Sequence, residues 1–96
     1  KGTALNDLER YTEALVAFNH AIRLHPNDIV AHHNMGHSLY ALKRYEEALA
    51  AYNHAIRLDP NYALAYYNMG KTLEALGRRK EAQLAFDKAR QLGYTD

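Results

Sequence analysis

Apolar residues recur along this chain at helical spacing. Tyr45, Ala48, Leu49, Tyr52, Ala55 and Ile56 fall at i, i+3, i+4, i+7, i+10 and i+11, which is one stripe of an amphipathic helix. The segment before it, from Val30 to Leu42, carries Ala31, Met35, Leu39 and Leu42 at similar spacing. The pattern predicts pairs of helices of about 13–14 residues each. No segment alternates with the period of a strand.

The pair then repeats every 34 residues. Gly2, Gly36 and Gly70 fall on that period, as do Leu5, Leu39 and Leu73, and Ala14, Ala48 and Ala82. Asn19-His20-Ala21-Ile22-Arg23-Leu24 returns letter for letter as Asn53-His54-Ala55-Ile56-Arg57-Leu58. A fixed period of this size signals stacked units, none of which can bury its apolar faces alone. The expected organisation is one domain over residues 1–96, divided into units 1–28, 29–62 and 63–96. The first unit lacks its opening columns. Lys1 stands where Met35 and Met69 stand later, so that edge is expected to be truncated.

The boundaries have local causes. Pro26 and Pro60 end the second helix of a unit, since proline lacks a donor and restricts its predecessor. Asn27, Asp28 and Asn61 are candidate N-caps. Gly77 suits a left-handed turn between helices. Lys43 and Glu9 share its column, and in that conformation each costs about 1–2 kcal/mol. Gly36 and Gly70 fall mid-helix, where glycine costs about 1 kcal/mol against alanine. They imply a neighbour pressing on bare backbone, with Ala48 and Ala82 as the expected partners. Phe18, Tyr52 and Phe86 are expected to plug between layers.

These residues identify the chain as resembling the tetratricopeptide repeat family. The middle unit shows Asn34-Met35-Gly36, Leu39-Tyr40, Leu42, Tyr45-Glu46-Glu47-Ala48-Leu49, Tyr52, Ala55-Ile56-Arg57-Leu58 and Asp59-Pro60-Asn61. The last shows Tyr66, Asn68-Met69-Gly70, Leu73, Leu76-Gly77, Glu81-Ala82, Phe86, Ala89 and Leu92. The resemblance implies an all-α, right-handed solenoid of antiparallel helix pairs. The first helix of each pair would line a concave groove that holds a peptide from a partner protein. The last unit departs from the pattern. Arg79, Gln83 and Arg90 replace Tyr45, Leu49 and Ile56, and Tyr94 replaces Pro60. A polar outer face of this kind is expected of a terminal, cap-like repeat.

The register then names candidate groove residues. Asn34 and Asn68 stand one repeat apart. Asparagine both donates and accepts, so the pair could hold the main chain of a peptide. Neighbouring helices pack roughly 8–10 Å apart, close to three extended residues at about 3.3 Å each. Such a ladder resembles that of the repeats attached to O-linked sugar transferases. His33, His37, Tyr40, Leu64, Tyr67 and Lys71 would read side chains, with Val30, Thr3, Asn6 and Glu74 in the same columns. A carboxylate clamp, as in some cochaperone repeats, is not expected. Leu64 and Asn68 stand where it needs lysine and arginine.

Composition narrows the remaining classes. The 96 residues carry a net charge of +1 and a pI near 8.2, without the strongly basic face that nucleic-acid binding needs. No cysteine is present, which removes thiolate catalysis and cysteine-ligated zinc and fits a cytoplasmic setting. No run approaches the roughly 20 apolar residues of a membrane span. His33 and His37 have the spacing of a two-histidine helical metal site, but no third ligand is placed, so no metal or other cofactor is expected. Ser38 is the lone serine and no nucleophile–base pair can be assembled around it. A non-enzymatic, peptide-binding interaction module is the expected function. Self-association through the cut N-terminal edge, giving a homodimer, is one alternative. A regulatory fragment of a larger enzyme, such as a glycosyltransferase, is another.

Overall fold

Five helices follow one another in the computed structural model, which describes residues 2–94, with side chains from Leu8 onward. They are α1 (Gly2–Leu24), α2 (Ile29–Ala41), α3 (Tyr45–Leu58), α4 (Ala63–Ala75) and α5 (Arg79–Gln91). No strand occurs among the described residues. Helices adjacent in sequence pack together, and α2 also touches α4 one repeat on. The result is an all-α solenoid whose complete units are the pairs α2–α3 and α4–α5. The expectations placed on the side chains of Lys1, Thr3, Leu5 and Asn6 lie outside the described residues.

Each turn follows from its sequence. Within the two complete units the chain reverses through a left-handed residue, Lys43 at φ 63° and Gly77 at φ 79°. In both, the next amide returns to a carbonyl of the finished helix, Arg44 to Leu39 at 2.8 Å and Arg78 to Leu73 at 2.9 Å. That closure satisfies otherwise orphaned carbonyls. Between units, Asp28 caps α2, its Oδ1 accepting from the Ala31 amide at 3.2 Å. Asn61 does not cap α4. Tyr62 holds that position without a side-chain bond, and the Asn61 amide instead donates to Asp59 at 3.1 Å.

The first unit differs from expectation. Its two helices are fused into the single α1, and Glu9 makes no left-handed turn. Continuing the helix avoids the cost that Lys43 bears in the same column. Two core clusters join the layers. One gathers Leu15, Leu39, Ala48, Ala51 and Tyr52, and the other Leu49, Leu73, Ala82 and Ala85, with Met69 packed against both. Burying one such leucine contributes about 1.5–3 kcal/mol.

The glycine contacts also correct the sequence reading. A methyl group built on Gly36 would lie 2.6 Å from the Tyr52 ring, and one on Gly70 2.6 Å from the Phe86 ring. The pressing neighbours are therefore aromatic rings rather than Ala48 and Ala82. Arg79, Gln83 and Arg90 are all exposed, so the apolar-to-polar exchanges of the last unit face solvent.

Candidate peptide-binding groove

The first helices α2 and α4 stand side by side and carry the candidate residues. Asn34 and Asn68 are held differently. Asn68 on α4 donates from Nδ2 to Nε2 of His33 on α2 at 2.8 Å. The bond requires an unprotonated His33 Nε2 and fixes the Asn68 carboxamide in orientation. Thr72, fully buried, donates its hydroxyl to the Asn68 main-chain carbonyl at 2.9 Å. Asn34 lines a cleft beside α1.

His33 is one of the residues expected to read ligand side chains. It is buried, 7% exposed. Its ring lies between Tyr52 at 5.6 Å and Tyr62 at 5.1 Å. Burial pulls its pKa below the ordinary imidazole value. A hydrogen bond with Asn34 opposes that shift, and the nearby His37 adds to it. His37 is exposed and turns its ring toward Tyr11 at 6.4 Å. Among the described residues no group of three or more metal-ligating side chains comes together.

Tyr40, Tyr67 and Lys71 do come together. The Lys71 ammonium lies 5.4 Å from the Tyr40 ring and 5.7 Å from the Tyr67 ring, within cation–π range of both. Tyr67 is stacked on Tyr94 at 4.5 Å and tilted against Phe86 at 5.5 Å. Tyr40 meets Tyr45 edge-on at 5.4 Å. Leu64 is 39% exposed and Val30, in its column, 58%. Sequence reasoning did not place Tyr62, Tyr45 or Tyr94 at the groove. Tyr45 shares a column with Tyr11, a repeated aromatic that could have flagged it. Tyr94 is visible only as the residue that breaks the proline column.

Among the described residues, three clefts stand out. One, of about 320 Å³, is lined by Arg10, Tyr11, Ala14, Phe18, Asn34, His37 and Ser38. The other two lie between successive second helices and repeat column by column. Leu15, Asn19, Arg44 and Glu47 line one, and Leu49, Asn53, Arg78 and Glu81 the other. Each carries a bidentate arginine–glutamate pair, Arg44–Glu47 and Arg78–Glu81, both 2.6 Å at the shortest contact. The pairing holds both glutamates below and both arginines above their ordinary pKa values.

Residues 2–43 and 36–77 match the family described as TPR repeat, and residues 63–92 match Tetratricopeptide repeat. The chain belongs to the tetratricopeptide repeat family. Its structure resembles that of YrrB, described as a TPR protein with an unusual peptide-binding site. The identity is 33% over 96% of this chain and 47% of that one, with a TM-score of 0.84. It also resembles MamA from AMB-1, 26% identical over 88% of this chain and 50% of that one, again with a TM-score of 0.84. This repeat array spans about half the length of these two proteins. Among curated proteins no sequence matches it significantly. Among the described residues no helix is long and apolar enough to cross a membrane.

Proposed function

We propose that the chain is a non-enzymatic interaction module that holds a peptide segment of a partner protein in the groove along α2 and α4. The observation that carries this reading is the Asn68 carboxamide, tied to His33 at 2.8 Å on the same helix pair as the Tyr40–Lys71–Tyr67 cluster. A donor–acceptor group already fixed in orientation loses little entropy when a ligand arrives. With its Nδ2 engaged, Asn68 offers its side-chain oxygen to a peptide N–H, and Asn34 offers its amide from the neighbouring repeat. His37, Tyr40, Leu64, Tyr67 and Lys71 read side chains. Tyrosines suit that work because they present large, stiff area with a polar tip. His33 acts from beneath, by orienting Asn68. YrrB, with its peptide-binding site, supports the same class of ligand. The partner is a protein rather than a nucleic acid or a membrane, no cofactor is needed, and a cytoplasmic setting belongs to the same reading.

The test uses a peptide selected from a random display library on the 96-residue chain. Two lost main-chain hydrogen bonds predict that Asn34→Ala with Asn68→Ala weakens binding about tenfold or more. Affinity unchanged in the double variant, with helicity intact, would end the ladder.

A further inference from the structure

The first helices of the two complete units are almost without charge. Together α2 and α4 carry one lysine and one glutamate, Lys71 and Glu74, and no other Asp, Glu, Lys or Arg. The ion pairs among the described residues lie elsewhere. Arg44–Glu47, Arg78–Glu81 and Arg90–Asp87 all belong to α3, to α5 or to the residue just before them. A peptide lying across α2 and α4 therefore meets a single permanent cation on those helices.

That cation has a carboxylate close by in sequence and does not pair with it. Glu74 stands three residues beyond Lys71, yet among the described residues no ion pair joins them. Lysine ahead of glutamate is the weaker order for such a pair. The ammonium lies instead 5.4 Å from the Tyr40 ring and 5.7 Å from the Tyr67 ring. Both rings are themselves packed, Tyr40 against Tyr45 and Tyr67 against Phe86 and Tyr94. A ring face attracts the ammonium but leaves N–H donors over for a ligand. Lys71 is partly buried, so it has given up some of its water without gaining a countercharge. Asn68 stands one turn before it on α4, about 4.5 Å along the axis.

We propose that the groove recognises an acidic peptide, and that Lys71 binds the carboxylate of an internal aspartate or glutamate whose main chain passes Asn68. The inference rests on the peptide-binding reading and names the class of ligand. The carboxylate supplies the missing countercharge through a charge-assisted hydrogen bond, in a setting partly screened from water by the two rings. Ordering costs little, since the rings already hold the lysine. A basic residue at the same place is repelled, so the site selects as well as binds. A chain-end carboxylate is not the source, because Leu64 and Asn68 supply no second cation for it.

Peptides selected from a random display library on the 96-residue chain test this in a double-mutant cycle. The selected sequences should share an aspartate or glutamate at one position. Changing that acid to its amide should weaken binding about tenfold, as should Lys71→Met, and the two changes together should cost little more than either alone. Methionine keeps a long apolar stem against the rings. Lys71→Arg should restore binding, and circular dichroism verifies that each variant folds. Added salt should weaken the parent chain more than Lys71→Met. Binding that needs Asn34 and Asn68 but shows no coupling to Lys71 overturns this proposal and leaves the groove reading standing. Affinity lost on amidating the peptide C-terminus, with the internal acid-to-amide change silent, also overturns it. Peptides indifferent to Asn34→Ala with Asn68→Ala, or no selected peptide at all, end both readings.

Discussion

Asn68 and His33 stand 35 residues apart and share one hydrogen bond of 2.8 Å. It ties the first helices of successive repeats, α2 and α4, at their candidate ligand face. Because His33 accepts through an unprotonated Nε2, the tie carries a pH dependence.

Burial lowers the pKa of His33 in the folded chain, and burial with His32 and Arg57 nearby lowers that of His54. The unfolded chain therefore binds more protons between the depressed values and about 6.5. Stability should be full above that range and fall as the pH drops below about 6.5. Urea midpoints taken between neutral and mildly acidic pH measure this. His33→Gln, whose amide does not titrate there, should shallow the slope. An unchanged slope would place the dependence elsewhere.

Gly36→Ala and Gly70→Ala should differ. Each added methyl meets a ring at 2.6 Å, and overpacking of this kind costs about 1–3 kcal/mol, offset by about 1 kcal/mol of helix propensity. Tyr52 is 1% exposed and cannot withdraw, whereas Phe86 is only partly buried. Gly36→Ala should therefore be the more destabilising in thermal melts.

Lys43 holds φ 63° without glycine. Lys43→Gly should stabilise the chain by about 0.5–1 kcal/mol, the relieved strain less the entropy glycine adds to the unfolded state. A rise in melting temperature of a few degrees is the readout. A fall would mean that the lysine makes contacts worth more than its backbone strain.

Asp28 and Asn27 are adjacent and polar, yet only Asp28 accepts a bond from the start of α2. Asp28→Ala should cost about 1 kcal/mol. Asn27→Ala should stay within about 0.5 kcal/mol. Equal effects in denaturant titrations would contradict the capping assignment.

The helices α2 to α5 were legible from the 34-residue register, because each has a periodic apolar stripe and a local stop signal. The left-handed turn at Lys43 was legible from its column mate Gly77. The unbroken α1 was not. Leu5 and Leu8 fit a folded-back helix as well as a straight one, and a turn at Glu9 differs from a continued helix by only about 1–2 kcal/mol. The role of Tyr52 at Gly36 was missed for another reason. Side chains on a helix lean toward its N-terminus, so the surface a ring covers is displaced from its own Cα. In the groove, the register aligned Asn34 with Asn68 and gathered Tyr40, Tyr67 and Lys71. It did not reveal that His33 lies beneath Asn68, because that bond joins different columns of two repeats.

Packing in this chain runs between neighbours in sequence, reaching one repeat further only where α2 touches α4. Such a stack opens like a zipper from its ends. The helix at its centre, α3, holds Ala48, Tyr52 and Ala55 essentially out of contact with water. Its amides should therefore be the last to exchange with deuterium, with α1 and α5 losing protection first. The centre that keeps the stack closed also braces His33 through Tyr52, so the groove rests on the most slowly opening part of the molecule.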